Sequence, residues 1–144
     1  MTAEANSDES ERRTSAIVEA RFVEGYHATV RVRQFEAEVD EPPTSGGADL
    51  GPMPTEYLLM SLASCFALAV AHVARRDGVE VGPFRVTAEG TYAGPSFSSV
   101  DVVVHLDDDP PEGMEELIER ARRVCYVSNT LARQPEIVAK LASR

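Results

Sequence analysis

The chain has 144 residues, of which 43% are hydrophobic and 26% charged, a composition that suits one folded soluble domain and excludes wholesale disorder. Asp and Glu outnumber Lys and Arg by 24 to 14, so the net charge is −10 and the pI is near 4.7. Because nucleic-acid binding depends on basic residues that displace counterions, no nucleic-acid partner is expected.

The N-terminal segment, residues 1–14, is rich in Ser, Glu and Arg and has no apolar core. This composition predicts a disordered tail rather than a signal peptide, followed by a single domain over residues 15–144. A cytoplasmic location is therefore expected. In that reducing compartment, the two cysteines are expected to be free thiols or a redox pair.

Three strands are predicted next, over Ser15–Val23, His27–Arg33 and Phe35–Val39. Apolar and charged residues alternate in the later two, which is typical of a sheet with one solvated face. The following stretch, Glu41–Pro54, is rich in Pro and Gly and predicts a long loop.

A long uncharged segment, Tyr57–Ala74, predicts a helix that ends at a Gly cap near Gly78. Its eighteen residues reach the lower limit for a membrane span. Ser61, Ser64 and His72 interrupt it, so a helix buried inside a protein is favoured and no membrane partner is expected. Since few other predicted elements could cover this helix, burial in a dimer is expected.

The remaining segments predict a hairpin, an amphipathic helix and a short terminal helix. The hairpin strands are Phe84–Tyr92 and Ser98–Leu106, joined by a turn of about four residues. The apolar stripe of the second helix comprises Met114, Leu117, Ile118, Ala121 and Cys125. The terminal helix is predicted over Glu136–Ser143. Strands grouped in runs indicate an α+β fold with antiparallel sheets.

The two cysteines, Cys65 and Cys125, have no CxxC or CxxH pattern around them, so no metal site is predicted. Free cysteine is among the most buried residue types, and its reactivity depends on exposure and pKa. From the residues alone, both inert core thiols and a functional pair stay open.

Two motifs around the cysteines resemble those of the OsmC/Ohr superfamily, named after osmotically inducible protein C and organic hydroperoxide resistance protein. The segment from Gly51 to Cys65, GPMPTEYLLMSLASC, resembles the family's Pro-x-Glu-Leu-Leu…Cys helix. The segment from Cys125 to Leu131, CYVSNTL, resembles its Cys-Pro-Val-Ser-x-x-Leu motif. The resemblance implies an intertwined homodimer in which two antiparallel β-sheets wrap long central helices.

The resemblance also implies a thiol-dependent peroxidase. Cys65 would attack a hydroperoxide and become a sulfenic acid, and Cys125 would condense with it to a disulfide. An external dithiol would then reduce the pair by exchange. The family uses no metal, haem or flavin, so no cofactor is expected.

In the family, a Glu and an Arg accompany the first cysteine, where the Arg stabilises the thiolate and the Glu orients the Arg. The family's Glu position is Thr55 here, and Glu56 lies nine residues before Cys65, on the opposite side of a straight helix. Glu56 either joins a site through an irregular helix start or the other subunit, or is a first-turn acid favoured by the helix dipole. For the Arg, Arg33 is preferred over Arg31, and both could instead be solvated.

Two further residues near the cysteines leave alternatives open. Tyr126 stands where the family often has Pro, which would favour a helix that starts directly after Cys125. His72 lies seven residues after Cys65 and is either a base or a neutral histidine of the core or of an interface.

The predicted function is reduction of organic or small hydroperoxides by a divergent OsmC-like dimer. One alternative is a non-catalytic OsmC-like dimer that binds a small hydrophobic ligand. Another is a structural dimer with two inert cysteines.

Overall fold

The computed structural model describes residues 15–143, which form two compact units that divide between Met53 and Pro54. The predicted tail over residues 1–14 lies outside the described residues, and the single-domain boundary stays a prediction. Each unit is described by itself.

The first unit contains a three-stranded antiparallel sheet in the order β1-β2-β3. Its strands are β1 (Glu19–Glu24), β2 (His27–Val32) and β3 (Phe35–Val39), so all three predicted strands are confirmed. Every residue of β1 is exposed, including Phe22. The apolar side chains of β1 therefore remain uncovered.

The predicted loop after β3 is closed by a buried carboxylate. Oδ1 of Asp40 accepts a hydrogen bond from the Glu41 N–H at 2.8 Å, and Oδ2 accepts from the N–H groups of Ala48 and Leu50 at 3.3 Å each. A one-turn 3-10 helix, Pro43–Ser45, lies inside the loop, so this stretch is more regular than predicted. The loop leads directly to the second unit's long helix.

The second unit consists of three helices and a hairpin. These are α1 (Pro54–Asp77), β4 (Phe84–Ala93), β5 (Ser96–Leu106), α2 (Met114–Val124) and α3 (Tyr126–Arg133). β4 and β5 pair antiparallel, and α1 packs against β4, α2 and α3. Only Gly94 and Pro95 separate the two strands, so the predicted four-residue turn was too long. The architecture is the predicted mixed α+β fold with two antiparallel sheets.

The core of the second unit lies between one face of α1, the apolar stripe of α2 and the hairpin. Its buried members are Phe66, Ala69, Val70, Val73, Ala74, Val81, Met114, Leu117, Ala121 and Cys125. Leu117 and Val70 are almost completely inaccessible to solvent. The stripe predicted on α2 is thus confirmed, with Ile118 partly buried at its margin.

The helix α1 has the predicted extent and the predicted end, since Gly78 adopts a left-handed conformation directly after it. Among the described residues, α1 is the helix whose length and hydropathy would allow a membrane span, and 33% of its most apolar window is buried. A core helix meets the same criteria. Leu58, Met60 and Leu68 of α1 are exposed.

The predicted C-terminal helix is wrong. Residues 134–143 have no regular secondary structure, and Ile137, Val138 and Leu141 are 91%, 71% and 95% exposed. An isolated helix of eight residues is marginal in water, and these exposed side chains supply no packing to stabilise one.

Candidate thiol site

The second unit brings the two cysteines together. Cys65 lies in the middle of α1 and Cys125 between α2 and α3, and both are free thiols. Cys125 is completely buried in the core, and Cys65 is partly buried against that core. The Cys65 side chain lies close enough to Cys125 to lower the pKa of the Cys125 thiol.

Cys125 occupies the N-cap position of α3, which begins at Tyr126. A helix therefore starts directly after this cysteine, although the family's Pro is absent. The first backbone N–H groups of a helix have no partner within the helix, so they favour a negatively charged group at this end.

The surroundings of Cys125 shift its acidity in two opposite directions. Burial raises the pKa of the Cys125 thiol. Hydrogen bonding to Ser128, to Cys65 and to the Val127 backbone N–H lowers it by a larger amount, so the pKa lies below its usual range. Ser128 acts through both its side chain and its backbone. The environment of this helix start therefore makes the buried Cys125 thiol more acidic than an ordinary cysteine.

Cys65 opens onto a cavity of about 670 Å³ between α1 and the junction of α2 and α3. One wall of the cavity is a single face of α1, whose lining residues are spaced three and four apart. Residues at the α2–α3 junction form the other wall. The lining residues are Cys65, Leu68, Ala69, His72, Arg123, Val124, Tyr126 and Asn129. Most of this surface is apolar, which suits an organic ligand that approaches the Cys65 sulfur.

Sequence reasoning missed two polar residues of this cavity, Arg123 and Asn129. The Asn129 amide donates a hydrogen bond to the Arg123 carbonyl at 2.9 Å, which ties α3 to the last turn of α2. Both residues lie within four positions of Cys125 in the sequence, and this nearness could have indicated that they belong to the site.

Glu56 does not line the cavity of Cys65. α1 is an uninterrupted helix from Pro54, and Glu56 is exposed in its first turn. The family's Glu position, Thr55, hydrogen-bonds to the Tyr92 hydroxyl at 2.8 Å, which joins α1 to β4. A role for Glu56 therefore stays a prediction, in which Glu56 of one subunit acts at the thiol site of another.

The two candidate arginines belong to the first unit. Arg33 lies in the β2–β3 turn with a left-handed φ of 51°, and its guanidinium lies over the Phe35 ring at 5.0 Å. Arg31 forms an ion pair with Glu36 at 2.8 Å on the exposed sheet. The turn predicted beside Arg33 is confirmed, and the role of Arg33 at the thiol site stays a prediction.

His72 is exposed and lines the cavity two turns along α1 from Cys65. It is therefore a wall residue of the cavity and not a core histidine, and its roles as a base or at an interface stay predictions. Between residues 15 and 143, no group of three or more His, Cys, Asp or Glu could hold a metal ion.

The arrangement of the second unit defines a class of protein: a two-cysteine α+β protein in which a thiol on a long helix neighbours a buried thiol at a helix start. The family model described as OsmC-like protein matches residues 46–140, well over half of the chain and both cysteines. The chain belongs to the OsmC-like protein family.

Solved structures share this fold. A putative osmotic stress induced and detoxification response protein from Psychrobacter arcticus has a TM-score of 0.70 and 17% identity, with 82% of this chain and 89% of that chain covered. A putative organic hydroperoxide resistance protein from Vibrio cholerae has a TM-score of 0.66 and 25% identity, with 86% and 90% covered. Captopril is bound in one of its active sites.

An organic hydroperoxide resistance protein from Elizabethkingia anophelis has a TM-score of 0.65 and 25% identity, with 86% of this chain and 92% of that chain covered. The comparison with curated proteins gives no match.

Proposed function

We propose that this protein is a thiol-dependent peroxidase that reduces organic or small hydroperoxides through Cys65 and Cys125. Its family membership and its likeness to organic hydroperoxide resistance proteins support a peroxidase-like role. The observation that carries the proposal is the pair of neighbouring free thiols, one on an open cavity and one fully buried.

The different exposure of the two thiols supports their different roles. A hydroperoxide in the cavity can reach Cys65, whereas the completely buried Cys125 is inaccessible to it. The lowered pKa of Cys125 suits a resolving cysteine, because a thiolate is the form that attacks an oxidised sulfur.

The proposed reaction has three balanced steps. The Cys65 thiolate attacks the terminal hydroperoxide oxygen, the O–O bond breaks, and the alkoxide takes a proton and leaves as an alcohol. The Cys125 thiolate then attacks the Cys65 sulfenic sulfur, the S–O bond breaks, and hydroxide takes a proton and leaves as water. An external dithiol reduces the disulfide and is itself oxidised to a disulfide. The two sulfurs supply both electrons, so the cycle uses no cofactor.

We also propose that the protein is a cytoplasmic homodimer. Exposed apolar side chains on α1, Leu58, Met60 and Leu68, together with those of β1, support burial against a second copy. Glu56 and Arg33 are the residues proposed to complete the thiol site, with Glu56 acting from the other subunit.

Single-cysteine variants test the proposed roles. The Cys65→Ser variant is expected to consume no cumene hydroperoxide. The Cys125→Ser variant is expected to react once and to accumulate sulfenic or over-oxidised sulfur at Cys65, because no partner thiol remains. A peroxide assay measures the consumption of hydroperoxide, and the intact mass of each variant shows the oxidation state of its remaining sulfur.

Two outcomes would contradict this assignment. If Cys125→Ser abolishes the first reaction and Cys65→Ser does not, the roles of the two cysteines are reversed. If the wild-type protein consumes no hydroperoxide at all, the peroxidase proposal is wrong, and the non-catalytic dimer that binds a hydrophobic ligand takes its place.

A further inference from the structure

The cavity of Cys65 is lined by an arginine, Arg123, that has no acidic partner among the residues that the structure describes. Within residues 15–143, Arg123 forms no ion pair, although it also borders a groove lined by Glu115, Glu116 and Glu119. The two other arginines of α2 are paired: Arg120 contacts Asp77 at 2.7 Å, and Arg122 contacts Glu119 at 3.2 Å. Arg123 alone among these three lines the cavity.

The backbone of Arg123 is fixed in position beside the cavity. Its carbonyl accepts the hydrogen bond from the Asn129 amide, and Asn129 and Tyr126 of α3 line the same cavity. The side chain is exposed, so its guanidinium can reach a ligand without loss of an existing ion pair. A guanidinium binds a carboxylate through two parallel hydrogen bonds, which makes it a specific anchor for that group.

The net negative charge of the whole chain makes the positive charge of Arg123 important for binding an anionic ligand. A net charge of −10 repels an anionic ligand at long range, so an anion can be retained only where a local cation offsets that field. The cavity walls are mainly apolar, and Leu68, Ala69 and Val124 offer contacts to hydrocarbon. A ligand with an apolar body and an anionic end therefore fits this cavity better than either part alone.

Given the peroxidase function proposed above, we propose that Arg123 is a specificity-determining residue that binds the anionic end of the substrate. The preferred substrates are then organic hydroperoxides that carry a carboxylate. The apolar body lies along the cavity walls, the carboxylate contacts Arg123, and the hydroperoxide reaches Cys65.

The test compares cumene hydroperoxide with 4-carboxycumene hydroperoxide, which differ only in the carboxylate. Arg123→Gln is expected to lower kcat/KM for the carboxylated substrate about fivefold to tenfold, as for a charge-assisted hydrogen bond near the surface. For the neutral substrate, the change is expected to stay below about twofold, within the range of surface effects. Arg123→Lys should recover part of the preference, because it keeps the charge but loses the bidentate geometry.

Arg122→Gln is the matched control, because it removes the same charge from the next residue of α2 without touching the cavity. It is expected to change neither substrate's kcat/KM. An equal loss for both substrates in Arg123→Gln, or no loss for either, would overturn the role proposed for Arg123 while the peroxidase function stands.

A binding experiment separates this proposal from the peroxidase proposal. In calorimetry, the reduced wild-type protein should bind 4-isopropylbenzoate more tightly than the neutral 4-isopropylbenzamide, and Arg123→Gln should lose that preference. If the wild-type protein consumes neither hydroperoxide but shows this preference, only the peroxidase function fails. If the preference is absent, the anion-binding role of Arg123 is refuted.

Discussion

The two units of the molecule differ sharply in how much of their apolar surface is buried. In residues 15–53 of the first unit, only Val39 and Asp40 are buried, and one of these is a carboxylate. The second unit buries ten residues in one continuous cluster. The two cysteines therefore lie in the unit that has the larger buried core.

The first unit depends on directional interactions rather than on a core. Backbone ladders join its three strands, and the Asp40 carboxylate holds the following loop through three backbone N–H groups. Its large apolar side chains, such as Phe22 and Phe35, are exposed at 71% and 54%. Since exposed apolar surface of this kind marks interaction sites, the first unit is the part that we expect a second subunit to stabilise.

Removal of a core side chain from the second unit is expected to have the largest effect on stability. Leu117 is 1% exposed, and Leu117→Ala should lower the free energy of unfolding by about 2–5 kcal/mol, because it removes buried methyl groups and leaves a cavity. Urea denaturation measures this loss. Leu141→Ala is the control, since Leu141 is 95% exposed, and its effect should stay within about 0.5 kcal/mol. Equal effects of the two substitutions would contradict the assigned core.

Substitution of an exposed apolar residue in the first unit tests whether a second copy covers that surface. Phe22→Asp is expected to raise the dimer dissociation constant about tenfold to a hundredfold, because it places a charge in an apolar contact. Light scattering over a dilution series measures the dissociation.

Ser99→Asp is the matched control, because it adds the same charge to an exposed position on β5. It should leave the dimer unchanged. A wild-type protein that is a stable monomer at micromolar concentration would show that the exposed surface of β1 is tolerated in water, and the dimer proposal would fail.

The loop carboxylate of the first unit should have a smaller, pH-dependent effect. Burial raises the pKa of Asp40. Together, the hydrogen bonds from the backbone N–H groups of Glu41, Leu50 and Ala48 and the attraction of His27 lower it by a larger amount. The pKa of Asp40 therefore lies below its usual range. A carboxyl group whose pKa is lowered on folding stabilises the protein above its unfolded pKa of about 3.9, and that stabilisation is lost as the pH falls through the folded pKa.

Asp40→Asn is therefore expected to lower the free energy of unfolding at pH 7 by less than Leu117→Ala does. The Asn side chain presents an NH₂ group to backbone donors, so part of the loop's hydrogen bonding is lost. The difference from wild type should shrink as the pH is lowered below about 4, where the wild-type carboxyl begins to protonate in the unfolded state. A difference that does not depend on pH would show that the charge of Asp40 has no part in the loop.

Most of the second unit could be predicted from sequence because its signals are local. The uncharged run of α1, the Gly after it and the stripe of α2 each follow from residue spacing, and each is confirmed. The helix predicted over Glu136–Ser143 failed for a physical reason: its periodicity is real, but a short helix forms only where its apolar face is packed.

The residues around the thiols were harder to predict, because their roles depend on how α2 and α3 are rotated against α1. Arg122 and Arg123 look equivalent in sequence, yet one pairs with Glu119 and the other lines the cavity. Glu119 lies three positions before Arg122 and four before Arg123, and both spacings allow an ion pair, so spacing alone does not show which arginine is paired. The lowered pKa of Cys125 depends equally on contacts that spacing does not reveal, chiefly those with Ser128.

The central claim, that the two thiols of the second unit act as one redox pair, is tested most directly by the intact mass after one equivalent of an organic hydroperoxide. The reduced wild-type protein should lose the mass of two hydrogens, and peptide mapping should find Cys65 joined to Cys125 within one chain, because the two side chains are neighbours in the second unit. A dithiol should restore the original mass. Two free thiols that persist in excess hydroperoxide would contradict the account.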